Sequence, residues 1–546
     1  THRFKGESME STLSARGKRA ATPSLSYLGQ FLHAQQDLHS DENPEGYVVC
    51  AVAENKQVCD RLAARMEAEP AVDTIAMSYN DMRGMARMRK AFCGMMEATA
   101  LSKGGSPAEG LLDPTNLSVA SGSGALVEIV TWCATGPGDG VIIPSPYYPA
   151  FDNDCAVRAD CKLFEARTDS SLYSITVEAL DDAAARAEAS GAPPKLLILT
   201  NPSNPLGIAF SQSEIVTAIR WAVSKKMHVM VDEIYANSVF DPYSADHEFV
   251  SAVHLCAPAG IPALSREVLG LPSPEAAEAG ASSKPELLGP LVHVIWGMSK
   301  DFGASGLRVG ALYSENQEIA TALGNLGYFS TMGNTLQGRV AAVLEDVAWC
   351  KGYLAASHES LKRSYDTLWR ALRAADIPST PASAGLFAWI DLRELLDEPT
   401  AEAEAALQMR LFDECRLLLT PGLSCHAAEP GHFRCCFAWM SPASLEAGIR
   451  RLGAFVAKRR AASGCAAPAA GAHPAAQAAA AASPLAPSGA IAVDTDSDDD
   501  ELPAAIASPG SLDAALAEAD RTLARSKLRR ESQSSMGSPS ARRPPA

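Results

Sequence analysis

Lys300 stands in the segment Ser299-Lys300-Asp301-Phe302-Gly303-Ala304-Ser305-Gly306-Leu307-Arg308-Val309-Gly310. A lysine is usually a solvated surface charge, but this one follows directly on the apolar run Val292 to Trp296, at the end of a predicted strand. An amine held there with a lowered pKa can form a Schiff base with an aldehyde cofactor. Arg308 comes just before another apolar run, where a guanidinium can grip a phosphate through two parallel hydrogen bonds. Asp232 closes the run His228 to Val231 and opens Asp232-Glu233-Ile234-Tyr235. A carboxylate buried there is costly without a cationic partner; a strand-end Asp that caps a helix is the plainer alternative. Arg434 lies in His432-Phe433-Arg434-Cys435-Cys436-Phe437. An arginine among aromatic and thiol neighbours on a strand is costly unless paired, and its planar fork fits a carboxylate.

Three further segments fit around these. Ser121-Gly122-Ser123-Gly124-Ala125-Leu126 follows an apolar run and opens a helix with Leu126, Ile129, Val130 and Cys133 on one face. Small residues let backbone amides approach an anion, and the helix dipole adds positive potential. Asn201-Pro202-Ser203-Asn204-Pro205-Leu206-Gly207 reads as turns after the run Leu196 to Thr200. Tyr147-Tyr148 sits in a proline-framed loop, where paired tyrosines are more often packing residues.

Taken in this order, the motifs resemble the class I/II aminotransferases, most of all their 1-aminocyclopropane-1-carboxylate synthase-like branch, over roughly residues 46–455. The resemblance implies pyridoxal 5'-phosphate as cofactor, on an α/β fold of type I. That fold has a mostly parallel seven-stranded sheet in a large domain and a smaller α+β domain. It implies that Lys300 carries the cofactor, Asp232 pairs with its pyridine nitrogen, and Tyr235 and Asn204 contact its phenolic oxygen. Lys300, Asp232 and Tyr235 would form the catalytic set. Tyr148 would stack on the ring with Tyr147 near the substrate, while Gly122, Ser123, Gly124, Ser299 and Arg308 would hold the phosphate end. Arg434 would bind the substrate α-carboxylate, and Glu54 in Ala53-Glu54-Asn55 would line the pocket. No metal is implied. Homodimers with active sites at the subunit interface are implied too, the segment around Met82 entering the partner's site.

Two positions depart from the pattern. Met82, in Tyr79-Asn80-Asp81-Met82-Arg83-Gly84, stands where an aromatic is usual, often a tyrosine on which the cyclopropane-forming lyases rely. Methionine neither donates a hydrogen bond nor carries a proton. Gly297 stands where a phosphate-binding serine is common, and one missing neutral donor costs about 0.5–1.5 kcal/mol. The expected activity is transamination between an amino acid and a 2-oxo acid. The alternatives are elimination of the cyclopropane-forming kind and a weakly active member retained for interactions.

The elements that must position these residues are legible as short apolar runs, at Leu117–Val119, Val141–Ile143, Leu196–Thr200, His228–Val231, Val292–Trp296 and Arg308–Tyr313. Each ends in Gly, Pro, Ser or Asp and alternates with helical spacing, which predicts a parallel sheet covered on both faces. Ligands then bind at the carboxyl ends of the strands. The expected organisation is an N-terminal arm over 1–40, an N-terminal segment of the small domain over 41–85, a large cofactor-binding domain over 86–330, a small domain over 331–460, and a disordered tail over 461–546. A surface insertion is expected over 257–290, which is rich in Ala, Pro, Gly, Ser and Glu. The tail is dominated by Ala, Pro and Ser, with an acidic run from Asp494 to Glu501 and a stretch of helical spacing from Leu512 to Leu528.

The formal charge of −17 argues against a nucleic-acid or anionic-membrane partner. No uninterrupted apolar stretch reads as a membrane span. The 13 cysteines form no C-x-x-C pair and suggest neither a zinc site nor a disulfide framework. Reduced thiols point to the cytoplasm; the sequence begins at Thr1, which leaves an organellar leader open.

Overall fold

The computed structural model describes residue 20 and residues 25–463, apart from 69–73, 103–107, 169–172, 241–247 and 257–286. Most of the expected insertion, and the acidic and Leu512–Leu528 stretches of the tail, lie outside the described residues.

After a two-residue strand, β1 (Val48–Val49), the chain builds a seven-stranded sheet. Its strands are β2 (Leu117–Ser121), β3 (Gly140–Ser145), β4 (Lys162–Arg167), β5 (Pro194–Thr200), β6 (His228–Asp232), β7 (Val292–Gly297) and β8 (Val309–Ser314), in the order β2-β8-β7-β6-β5-β3-β4. Only β8 runs against the rest. Val141, Ile142, Leu197, Ile198, Val229, Met230 and Val294 are buried on both sides of the sheet, so these strands are near-continuous apolar runs without alternation. Against one face lies the helix Ser123–Ala134, whose Leu126, Ile129 and Val130 meet Ile143, Ile198, Met230 and Ile295. The spacing of those three residues keeps them on one side of a helix. β4 was not among the expected strands. It lies at the sheet edge and carries Lys162, Glu165 and Arg167, so its apolar signal is weak.

A second sheet is antiparallel. It comprises β9 (Ser379–Thr380), β10 (Phe387–Asp391), β12 (Thr420–Pro421) and β13 (His432–Cys436), in the order β12-β13-β10-β9. β11 (Leu417–Leu418) pairs in parallel with β1. Leu361, Leu368 and Leu372 of the long helix Val347–Ala374 share its core with Leu445, Ile449 and Leu452 of the helix Pro442–Ser463. The first part of the chain also joins this core: Leu28–Ala34 is a helix, and Tyr27 and Ala34 are buried. Its periodicity is hard to see because a single apolar stripe covers so few residues. Among the described residues no helix is long and apolar enough to cross a membrane.

Beyond β1, Cys50 donates its amide to Leu418 O (2.8 Å) and accepts from Cys436 N (2.7 Å). The early segment thus runs along the small sheet and delivers Ala53 and Glu54 to the ends of the large one. The loop between β12 and β13 is tied down by Glu404, which is 1% exposed and accepts from Leu423 N (2.9 Å) and Gly431 N (2.6 Å). Glu404→Ala leaves the buried Gly431 amide and the half-buried Leu423 amide without a partner and should lower stability by about 2–4 kcal/mol. Urea unfolding with an unchanged slope is the check; a loss under 0.5 kcal/mol or so would mean that water replaces the carboxylate.

Candidate active site

The carboxyl ends of β5, β6 and β7 open onto one cavity of about 220 Å³. Its wall contains Ser123, Gly124, Tyr148, Asn204, Asp232, Tyr235, Ser299, Lys300 and Arg308. Segments far apart in the chain converge here because each is the loop that follows a strand of the same sheet.

Lys300 Nζ donates to Ala53 O at 2.6 Å, so the amine is held by the early segment. Burial pulls its pKa down to about 8, and the positive charge of Arg434 adds to this. A far larger share of the lysine than usual is then neutral near physiological pH, as a nucleophilic amine requires. Asp232 is 7% exposed and accepts from Ile234 N at 3.2 Å. Burial pushes its carboxyl up to about 7, against the lowering effect of that bond and of Lys300. Tyr235 is buried, edge-on to Phe387 at 5.8 Å, and Tyr148 packs edge-on to Phe151 at 5.4 Å. Burial raises the Tyr148 phenol to about 12, so it stays protonated.

The other end of the cavity is built for close approach. Gly122 takes a left-handed backbone (φ 89°), and a Cβ there would collide with the Arg308 guanidinium. Gly310 is similarly pressed against the backbone of Gly122 and Ser123. Arg308, expected to begin β8, sits outside it in a left-handed conformation (φ 54°), with Nη1 donating to Ser305 O at 2.9 Å. That turn aims the guanidinium back over Gly122 instead of along the strand. The serine missing at position 297 is accounted for as well. A Cβ on Gly297 would lie 2.7 Å from Ser123 Oγ and 2.9 Å from Val309 O. Ser123 Oγ fills that space and donates to Trp296 O at 3.1 Å.

Arg434 projects from β13 and is 1% exposed. Its Nη1 donates to Asn204 Oδ1 (2.9 Å), and its Nη2 to Ala51 O (2.9 Å) and Thr420 Oγ1 (3.1 Å). Its Nε has no partner, and no ion pair to it occurs among the described residues. Glu54 accepts from Ser305 Oγ (2.6 Å) and Trp439 Nε1 (3.2 Å), which joins the early segment to the chain beyond β7 and beyond β13. Neither Arg434 nor Glu54 lies in the cavity wall itself. Each reaches it through a bonded neighbour, Asn204 and Ser305 respectively. Tyr147, expected near the substrate, faces the other way and stacks on His426 at 4.1 Å.

Asp154, Thr200, Phe151 and Ser305 also line the cavity and were not singled out from sequence. Burial pushes Asp154 up to about 7, with the nearby Asp232 adding to the effect. Thr200 Oγ1 is buried without a partner. The spacing of Phe151 and Asp154, one helical turn apart, was the available signal for them.

A basic amine beside a buried carboxyl, and a glycine cradle facing an arginine, define the class of fold-type I pyridoxal-phosphate enzymes. The chain belongs to the aminotransferase class I and II family, whose model matches residues 48–452. Enzymes of this family use pyridoxal 5'-phosphate. The orphaned Thr200 hydroxyl, the space kept open at Gly122 and a Lys300 amine made easier to deprotonate suit that group. The chain is 32% identical over 426 residues to 1-aminocyclopropane-1-carboxylate synthase 3 of Oryza sativa subsp. japonica, covering 76% of this chain and 88% of that one. With 1-aminocyclopropane-1-carboxylate synthase 11 of Arabidopsis thaliana the identity is 31%, covering 79% and 88%. Among solved structures, aspartate aminotransferase from Thermus thermophilus with maleate matches at a TM-score of 0.61 and 18% identity, covering 81% of this chain and 99% of that one. The latter likeness concerns the fold.

Asp232 generates a stability prediction for the cofactor-free protein. Its folded pKa lies above the unfolded value, so a penalty accumulates from about pH 4 to about 7 and stays in full above that. Asp232→Asn removes the ionisation. The cofactor-free variant should melt higher than the unmutated chain at about pH 8, with the gap closing toward about pH 4. A variant that melts lower at pH 8 rejects this account.

Proposed function

We propose that this enzyme transfers the amino group of an α-amino acid to a 2-oxo acid. The observation that carries the reading is Arg434, a buried guanidinium with a free Nε and only neutral partners, beside Lys300. An incoming α-carboxylate supplies the missing counter-charge and sets the Cα–H toward the lysine. When bound, pyridoxal phosphate supplies an aldehyde and a cationic ring that withdraws electrons from Cα. Lys300 is the covalent anchor and, once freed by the substrate amine, takes the proton from Cα as general base. The ionised Asp232 would hold positive charge on the ring nitrogen, and that cation would in turn offset its burial cost. Tyr235 and Asn204 would donate to the phenolic oxygen, Tyr148 would cover the ring face, and Ser123, Gly124, Ser299 and Arg308 would bind phosphate.

Met82 supports transamination over cyclopropane formation, since it offers no phenol where the lyases rely on one. The relatives' names favour a second reading, formation of 1-aminocyclopropane-1-carboxylate. That product needs a Cα–Cγ bond, hence a substrate with a leaving group on Cγ. Assembly as a homodimer belongs to the same proposal. Met77, Tyr79, Trp132, Tyr328 and Phe329 are exposed apolar side chains, Tyr79 at 86% and Phe329 at 77%. Trp132 and Phe329 border a groove that includes Ser121, next to the glycine cradle. Such a patch fits a second copy of the chain.

Borohydride reduction of the holoenzyme should fix the chromophore on the peptide containing Lys300, and a label elsewhere removes the lysine from its role. Incubation with amino acids, including ones with a sulfonium on Cγ, should yield 2-oxo acid; cyclopropane product without 2-oxo acid would make the second reading correct. Arg434→Lys should weaken amino-acid binding by about 1.5–3 kcal/mol, read as a raised KM with the Lys300 label intact. An unchanged KM excludes the proposed carboxylate contact.

A further inference from the structure

His426 stands at the boundary of the two domains, and nothing in the chemistry above uses it. It takes a left-handed backbone (φ 58°) after the turn Leu423–Cys425, in the loop whose two ends Glu404 anchors. The small domain therefore sets where its imidazole lies. On the large-domain side, Nε2 is 2.8 Å from Asp152 Oδ2 and Nδ1 is 3.4 Å from Glu165 Oε1. The ring lies flat on Tyr147, with 4.1 Å between centroids and planes 10° apart. Tyr147 donates its hydroxyl to the other oxygen of the same carboxylate, Asp152 Oδ1 (3.1 Å), and its amide to Cys425 O (2.8 Å). One carboxylate thus holds both stacked rings. The residue after Tyr147 is Tyr148, which walls the cofactor cavity.

We propose that His426, as an imidazolium held by Asp152 and Glu165, is a positioning residue that ties the small domain to the Tyr147-Tyr148 turn and fixes how Tyr148 meets the cofactor ring. The proposal rests on the reading of Tyr148 as the residue over that ring. Both imidazole nitrogens face carboxylates, an arrangement only the doubly protonated ring satisfies in full. Burial works against the charge, but Asp152 and Glu165 outweigh it and push the histidine up to about 9. Glu165 is in turn held below the usual carboxylate range, first by the hydrogen bond from His426. The other charges facing this cluster are Arg167 and Arg186, 4.0 and 3.8 Å from Glu165 Oε2. They keep Glu165 ionised and oppose the imidazolium only from its far side. The folded pKa is above the unfolded value, so the tie is complete below about pH 6.5 and is lost as pH rises through about 9. A plain interdomain ion pair would raise stability and leave the cofactor unaware of it.

The test uses the holoenzyme reconstituted with pyridoxal phosphate, with its visible circular dichroism and cofactor dissociation constant followed from about pH 7 to about 10. In the unmutated protein the dichroism should change with a midpoint near 9. His426→Gln should have the altered dichroism already at neutral pH, lack that transition, and bind cofactor about three- to tenfold more weakly, the scale of one hydrogen bond. Asp152→Asn attacks the same tie from the large domain and should reproduce the loss, which covers the case in which the histidine variant folds poorly. Unchanged dichroism and pH course in both variants overturns the proposal. Tyr148→Leu separates the two levels. If it leaves the dichroism intact, the reading of Tyr148 has failed; if it alters the signal and the other variants do not, only the role of His426 has.

Discussion

The structure depends on the cost of taking charge out of water in one place. Half-buried Lys300 and buried Asp232 line one cavity, buried Arg434 reaches it through Asn204, and the protein alone does not neutralise them. The lysine answers by becoming easier to deprotonate, and the aspartate by becoming harder to ionise. The arginine stays charged and surrounds itself with neutral oxygen acceptors. On the proposed function, each unmet need corresponds to a group that a cofactor or substrate would bring: an aldehyde, a ring cation and a carboxylate. The cavity is thus costly for the empty protein, and its proposed occupants would offset that cost.

The fold meets this cost with rigid support on every side. The ends of β5, β6 and β7 place Thr200, Asp232 and the Lys300 segment side by side, because parallel strands with both faces covered all finish at the same edge. Arg434 comes from the other sheet, in register with Trp389 and Thr420. The early segment holds the two together. Paired with β11, and lying along β13, it supplies the carbonyl of Ala53 to Lys300 and the carboxylate of Glu54 to Ser305 and Trp439.

Much of this was legible in the sequence, for reasons that can be named. The strands at Val141, Leu196, His228 and Val292 are apolar runs that stop at Pro144, Asn201, Asp232 and Gly297, so both their type and their ends could be read. β4 was hidden because an edge strand carries charge, and the helix Leu28–Ala34 because it is short. The left-handed turn at Arg308 left no trace in residue type. The direction of Tyr147 could not be read either, since it is set by His426 from a distant loop. Asp154 and Thr200 carry no family-like motif, and only their convergence in space marks them.

Ser123 and Gly297 carry a consequence for how such sites change over generations. The hydroxyl of one occupies the space that a side chain on the other would need, and the backbone of Val309 closes off any retreat. A serine brought to position 297 would meet Ser123 Oγ, Ile234 Cδ1 and Val309 O at once, so trimming Ser123 alone would not make room for it. In this chain the hydroxyl can be offered only from the helix, and a chain that offers it from the strand has to differ at several neighbouring positions together.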